Sequence, residues 1–248
     1  MSRVFACSCG VETTAADLDR LVPQVKVHFD SIHPELGLTM AAIRNYLEAE
    51  DRLTGPAERL ETIGSIEIKP VGVDTLEDIL AFFDSEATVG NPAWAGCYCM
   101  HFLIGGSLDS EWGDRTWQEN RADQSARIRS GETTGVLAYV DGKLAGWCNA
   151  TARSQFPGFA KGSGDTKVGS VVCFAIAPPY RGHGVASHLL DGAISSLSSM
   201  GFTRIEGYPV AEAPNWERAF RGSLGLFLSK GFEVASEEPL VVAMTPHE

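Results

Sequence analysis

The sequence predicts an α/β fold of the α+β kind: a mixed, twisted central sheet with helices on both faces, preceded by a small N-terminal α/β module. Three observations carry this. A β-branched, apolar run from Val168 to Ile176 has the length of a buried strand and is stopped by Pro178-Pro179. Past Arg181-Gly182-His183-Gly184, apolar residues recur at 185, 189, 190, 193, 194 and 197, the 3.6-residue period of a helix with one buried face. Strand-like and helix-like patterns alternate from residue 65 to 248, while residues 1–54 carry a pattern of their own and residues 55–64, GPAERLETIG, read as a polar linker.

Taken in order, Arg3 to Val11 has strand character with a turn at Gly10. Thr13 or Thr14 is placed to cap a helix with apolar positions 18, 21, 22, 25, 29 and 32. Pro23 is expected to kink or restart that helix, and Pro34 to stop it. A second helix, capped by Thr39, runs to about Leu53, before Gly55-Pro56. Ser65 to Val71 alternates Ile66 and Ile68 with charges and reads as a strand. Asp74 with Glu77 predicts a capping box for a helix with Leu76, Ile79, Leu80 and Phe83 inward. Gly90 to Trp117 is irregular and aromatic, and Arg115 to Ser130 is a charged helix ended by Gly131. Thr134 to Val140 and Lys143 to Ala150 form a hairpin through Asp141-Gly142. A looser segment, 151–167, leads into the strand at 168 and the helix that reaches Met200. Phe202 to Val210 reads as a strand and Trp216 to Lys230 as a helix broken by Gly222 and Gly225. Phe232 to Ala235 and Leu240 to Met244 are a final strand pair.

A strand feeding a helix through a glycine-rich turn makes an anion site. The first helical N–H groups have no partner within the helix, and the dipole favours negative charge there. Gly182 and Gly184 permit close approach of a phosphate, and Arg181 adds a positive fork. A plain βα turn with incidental glycines is the bland alternative. The order Arg181-x-x-Gly184-x-Ala186, after Pro178-x-Tyr180 and an apolar strand, is more specific. It resembles the acyl-coenzyme A motif of the GNAT superfamily of N-acetyltransferases, Arg/Gln-x-x-Gly-x-Gly/Ala, and the element order from 65 to 248 is similar to the GNAT topology.

The resemblance implies a fold and a cofactor, acetyl-CoA. It implies that main-chain N–H groups at Gly182, His183, Gly184, Val185, Ala186 and Ser187, beside Arg181, hold the pyrophosphate. It implies that the strand at Phe174, Ala175 and Ile176 splays from its neighbour, pairs with the pantetheine arm and faces the thioester carbonyl. It also implies that the segment after the first helix walls the acceptor site, so Trp94, Tyr98 and His101 are candidate substrate contacts; a flap that only packs on the sheet is the alternative. Cys97, Cys99 and His101 could ligate a metal, but three such neighbours on one strand are better read as plain core.

Acetyl transfer to an amine needs a neutral amine, a polarised carbonyl and a thiolate that can leave; backbone N–H groups on the strand around Phe174 to Ile176 are placed to polarise the carbonyl. Many GNAT enzymes protonate the thiolate with a tyrosine four residues before the Gly-Phe pair, and Phe227 stands there; some carry a glutamate on the central strand, and Ser170 stands there. The remaining candidates are Glu206 and Tyr208, with a salt-bridged surface acid and a packed ring as their respective alternatives. Cys173 on the binding strand is better read as core than as a nucleophile.

In the first 54 residues, Cys7-x-Cys9 and His28-x4-His33 are a recognised donor set for one structural zinc. Residues five apart on a helix point about 140° from each other, so His33 must lie where the helix unwinds, beside Pro34. The module resembles a small bacterial domain family of unknown function with Cys-x-Cys and paired His; a reduced thiol pair with two surface histidines is the alternative.

The chain has 248 residues, 44% hydrophobic and 21% charged, the composition of an ordinary protein with ample core. No run reaches the ~20 apolar residues of a membrane span, and there is no signal-like N-terminus, so membrane partners are not expected. Six cysteines without a secretion signal suggest a cytoplasmic, reducing setting. A net charge of −12 excludes nucleic acid as an expected partner and suits a cationic amine. Residues 1–55 hold five Lys/Arg against eight Asp/Glu, which excludes a DNA-binding finger as well. The acceptor is a small-molecule or peptide amine on this reading, with a homodimer left open. Two further classes stand beside the enzyme: a non-catalytic acyl-CoA sensor, which would explain Phe227, and a structural interaction protein, which would not explain the glycine turn.

Overall fold

The computed structural model describes residues 2–105, 111–158, 167–211 and 220–246. The chain opens with a hairpin, β1 (Arg3–Ala6) and β2 (Glu12–Ala15), then α1 (Leu18–Ile32) and α2 (Met40–Arg52). Thr13 and Thr14 belong to β2, paired with Phe5 and Val4. The helix is instead capped by Asp17, whose carboxylate accepts from the Arg20 N–H at 2.9 Å. α1 runs through Pro23 without the restart the sequence allowed for. Leu21, Val22 and Val25 are buried on both sides of it in one cluster with Phe5, Ile43 and Leu47, and that packing outweighs the lost hydrogen bond. The helix does unwind at His33, and Pro34 opens a 3-10 turn.

The main sheet has seven strands in the order β3-β4-β5-β6-β7-β9-β8: β3 (Ile66–Pro70), β4 (Gly135–Val140), β5 (Lys143–Ala152), β6 (Val168–Ile176), β7 (Arg204–Gly207), β8 (Glu233–Glu237) and β9 (Leu240–Met244). All neighbours are antiparallel except β6 and β7, which are parallel. Between β4 and β5 the turn residues Asp141 and Gly142 have φ of 50° and 78°, the conformation a two-residue hairpin loop of this hand requires. Four helices accompany the sheet: α3 (Leu76–Ser85), α4 (Trp117–Ser130), α5 (Val185–Ser199) and the short α6 (Leu224–Leu228). The cap before α3 differs from the expected Asp74–Glu77 box; a 3-10 turn precedes it, closed by Thr75 Oγ1 on the Gly72 N–H at 3.0 Å. The box forms at α4, where Thr116 and Glu119 bond each other's N–H groups.

β7 is shorter than the expected Phe202–Val210, and among the described residues of the helix expected over 216–230, Leu224–Leu228 is α-helical; residues 216–219 lie outside the described residues. The expected loose segment at 151–167 likewise falls partly outside them. One large cluster, from Leu76 to Val242, fills the sheet's two faces, separate from the cluster of the first 47 residues. No described helix is long and apolar enough to cross a membrane.

Candidate active site

β6 is paired with β5 from Gly169 to Ile176, but with β7 only over Val168–Val171 against Arg204–Gly207. Past Val171 the β7 side of β6 has no strand partner among the described residues. The strands therefore part where Phe174, Ala175 and Ile176 lie. The Ala177 N–H bonds to the Ala145 carbonyl of β5 at 3.0 Å. Successive N–H groups of a strand alternate between its two edges, so those of Phe174 and Ile176 point into the gap. Nε of Arg181 donates to the Ile176 carbonyl at 2.9 Å, which closes the end of the strand and uses part of the expected phosphate fork. Burial lowers the pKa of Arg181 from its ordinary value.

Gly182 and Gly184 both have left-handed φ, 76° and 80°, which is what requires glycine at these two positions. Gly184 caps α5 and its carbonyl accepts from Ser187 and His188 at 3.0 and 3.2 Å, so Val185 and Ala186 precede the first helical bonds. A Cβ on Gly184 would meet nothing nearer than 4.0 Å, which leaves the face of the turn clear for an anion. The linker runs across this turn. Leu60 donates its N–H to the Pro179 carbonyl at 3.0 Å, and its own carbonyl accepts from Nε2 of His183 at 2.8 Å. The Arg59 guanidinium lies 3.1 Å from where a Cβ of Gly182 would stand.

At β7 and the start of β6, the face of the sheet opposite α5 carries polar groups. Gly169 faces Leu197 of α5 and Gly207 faces Phe227, whereas Ser170 and Cys173 turn the other way. A bulge at Val172 allows this change of phase. Ser170 Oγ lies 2.9 Å from the Tyr208 hydroxyl, which in turn donates to Glu206 Oε2 at 3.1 Å. Glu206, 6% exposed, also accepts from Arg153 at 3.1 and 3.2 Å and from Arg204 at 2.9 Å. Burial opposes its ionisation, but the hydrogen bonds of Arg204 and Arg153 outweigh that and its pKa is lowered. A carboxylate so engaged is a poor proton acceptor. Tyr208 is shifted the other way: burial first, and the neighbouring Glu206 charge, raise its pKa, so it stays protonated at neutral pH. Phe227, at the place of the usual family tyrosine, is fully buried and packs edge-on to Phe174 and Phe232 at 6.2 and 5.1 Å.

Part of the aromatic segment is tied to the first module. Tyr98 is 0% exposed, and its hydroxyl is bound to Asp84 and, at 2.8 Å, to Arg52 of α2. It has no surface to offer a substrate. Arg52 also caps the Ala95 carbonyl at 2.6 Å and lies 4.3 Å over the Trp117 ring. Asn45 and Glu48 bond the Trp117 N–H and Nε1 at 3.0 and 2.6 Å. His101 packs on Phe102 and Trp112, with its pKa lowered by burial, and Trp94 packs on Phe220. Cys97 does not face Cys99 and His101 as a donor set; Cys99 Sγ instead meets Cys173 Sγ at 3.4 Å and accepts from Trp147 Nε1 at 3.0 Å. Ala93, Gly96, Cys97 and Trp112 line a cavity of about 790 Å³ against the first module.

The four residues Cys7, Cys9, His28 and His33 come together, with one donor atom of each within 4.8 Å of the others. Cys7 Sγ is 3.4 Å from His33 Nε2, and Cys9 Sγ is 3.6 Å from His28 Nε2. Tetrahedral zinc with Zn–S of about 2.3 Å and Zn–N of about 2.0–2.1 Å separates sulfur and nitrogen by about 3.5 Å, so the donors fit that ion. The Cys9 backbone, then His28, hold the Cys7 thiol down to about 6.

Two site residues carried little signal in the sequence. Asn149 of β5, opposite Cys173, is 0% exposed, and among the described residues neither amide atom is hydrogen-bonded; an asparagine directly after the apolar run LAGWC is the available hint. Arg221 lines a cavity of about 500 Å³ with Arg153, Arg204, Glu206 and Tyr208, and nothing local in the sequence marks it.

A parallel strand pair that opens ahead of a glycine turn and a helix N-terminus leaves backbone N–H groups free to meet an anionic ligand. Residues 103–215, just under half of the chain, match the family model described as Acetyltransferase (GNAT) family. Among solved structures the chain is similar to an N-acetyltransferase from Staphylococcus aureus Mu50, with 13% identity over 74% of this chain and 100% of that one and a TM-score of 0.46. It is similar also to the PaiA N-acetyltransferase from Thermoplasma acidophilum in complex with coenzyme A, with 15% identity over 73% and 99% and a TM-score of 0.43. A ribosomal-protein-alanine N-acetyltransferase from Brucella melitensis gives 16% identity over 72% and 99%, with a TM-score of 0.43. No curated protein matches the sequence.

Proposed function

We propose that residues 65–248 form an acetyl-CoA-dependent N-acetyltransferase that transfers acetyl directly to a primary amine of a small molecule or peptide, joined through 55–64 to a zinc-binding module of residues 1–54. The single observation that carries this is the end of β6–β7 pairing at Val171 and Gly207, five residues before β6 itself ends and turns into Gly182–Ser187.

Acetyl-CoA supplies a thioester whose C–S bond breaks as a C–N bond forms, the amine losing a proton and the sulfur gaining one. The residues present fit it. The N–H groups of Phe174 and Ile176 face the gap and are donors for an acyl oxygen. The turn from Gly182 to Ser187 offers N–H groups for a pyrophosphate, and the Arg59 guanidinium beside Gly182 adds positive charge against the net −12 of the chain. Tyr208, kept protonated, is the proton donor, and Glu206 orients its hydroxyl as a positioning residue. Trp94 and His101 stay at the acceptor side as packing partners of Phe220 and Phe102, and Tyr98 is withdrawn by its burial. Cys7, Cys9, His28 and His33 are the zinc ligands; four protein donors leave no open position, so the ion would be structural.

The test is calorimetric titration of acetyl-CoA into wild type and Gly184→Val. A β-branched side chain at this left-handed position would strain the turn, and its Cβ would enter the open space beside it. Binding by the wild type and its loss in the variant, with both folded by circular dichroism, is the expected result. A wild type that fails to bind acetyl-CoA, or a variant that binds as well, overturns the reading.

A further inference from the structure

The cavity at the end of β7 carries more information than the transfer step uses. It encloses about 500 Å³ between β7 and the β8–β9 hairpin, and its lining includes Arg153, Arg204, Glu206, Tyr208, Arg221 and Ser236. Three guanidinium groups meet one carboxylate there. Arg153 and Arg204 are both engaged with Glu206, at 3.1 and 2.9 Å. Arg221 is different: among the described residues no hydrogen bond or ion pair holds it, and burial alone acts on it, lowering its pKa from the ordinary value. A partly buried cation without a counter-ion is destabilising unless something supplies one. Its fork of donors fits a carboxylate in a way that a neutral amide does not.

We propose that this cavity is the acceptor site and that the acceptor carries a carboxylate as well as its amine, with Arg221 gripping the carboxylate. The proposal rests on the acetyltransferase reading above and names the substrate class for it. Tyr208 lies in the same lining and reaches Ser170 on β6 at 2.9 Å, so an acceptor held by Arg221 sits beside the strand that parts from β7. Seen from outside, a chain of net charge −12 suits a purely cationic amine; inside this cavity the lining reverses the sign. An amino acid or the C-terminal carboxylate of a short peptide satisfies both demands, an amine to react and an anion to anchor.

Coenzyme A release from acetyl-CoA is measured with the free L-amino acids, their carboxamides and a set of dipeptides, for wild type, Arg221→Ala and Arg221→Lys. A charged hydrogen-bonding pair that is lost with the carboxylate is worth roughly 10- to 100-fold. The expected result is an acid preferred over its own amide by that factor in kcat/KM, a ratio near one in Arg221→Ala, and partial recovery in Arg221→Lys. Free amino acids and dipeptides separate the two sources of the carboxylate. Amides turned over as well as acids, no turnover in any series, or a ratio that Arg221→Ala leaves intact each overturn the proposal. Acetyl-CoA affinity is titrated on the same preparations: if it is retained, the failure belongs to the acceptor assignment, and if the wild type lacks it, to the acetyltransferase reading itself.

Discussion

The hydroxyl of Tyr208 stands 2.9 Å from the Oγ of Ser170, across the last paired residues of the two parallel strands. Ser170 occupies the place where some family members carry a glutamate, so a side chain from β7's end reaches the position that β6 leaves without an ionisable group. The short chain Ser170–Tyr208–Glu206 sets a protonated hydroxyl beside a fixed carboxylate at the end of that pairing.

Tyr208→Phe removes that donor while keeping the ring. The expected outcome is a fall in kcat of ~10²-fold or more, the usual worth of a positioned acid, with acetyl-CoA affinity unchanged. Steady-state kinetics with calorimetric titration check both halves; full turnover in the variant would rule Tyr208 out as the donor.

Phe227→Leu should behave as a packing change. The ring is fully buried against Phe174 and Phe232, and a Cβ on Gly207 would lie 2.3 Å from it. A near volume-conserving swap in such a site destabilises by about 1 kcal/mol, read by urea unfolding, while kcat stays within roughly twofold. A large loss of rate without loss of stability would contradict this.

Glu206 makes stability depend on pH. Its folded-state pKa is below the ordinary 4.5, so the ionised form is favoured by folding. That contribution is complete above 4.5, and it is lost as pH falls through the lower folded value. Glu206→Gln is expected to melt lower at pH 7, because Arg153 is left without its buried partner. It should also lack this part of the acid decline. Melting temperatures from pH 7 down to 3 for both proteins give the comparison, and parallel curves would refute it.

The first module should hold one zinc. Metal analysis of freshly purified protein is expected to give close to one equivalent, reduced in Cys9→Ser, and chelation should lower the melting temperature. A small domain of this size commonly needs such ligation. Less than about half an equivalent, with unchanged melting on chelation, would leave a metal-free helical domain.

Much of this was legible in the chain, and the exceptions share a cause. The bounds of β6 and the turn into α5 followed from local signals, because a β-branched run, two prolines and two glycines in left-handed turns each act within a few residues. The cap of α1 was misplaced because Thr13 and Thr14 are held by pairing with Val4 and Phe5, a tertiary preference stronger than capping propensity. Gly90 to Trp117 reads equally as a substrate wall or a packing flap, because its aromatic content says only that it must be covered. What covers part of it is α2, through Arg52, Asn45 and Glu48, and no local pattern announces a contact made from 43 to 72 residues away. Arg221 carries no local signal for a related reason, since a cation without a partner among the described residues is recognisable only once its surroundings are known.

The path of the linker across the glycine turn gives the two halves of the chain a common fate. Leu60 is bonded to the turn through both its N–H and its carbonyl, and Arg52 anchors the other end of the same short run of backbone. A single proteolytic nick between residues 55 and 59 would leave the halves clasped by Trp117, Asn45 and Glu48. It would sever the covalent route from that clasp to Arg59. Such a nicked protein is expected to co-elute as one species on gel filtration yet bind acetyl-CoA less tightly than the intact chain, so integrity of this peptide stretch, far from any reacting atom, becomes a quantity to check in every preparation.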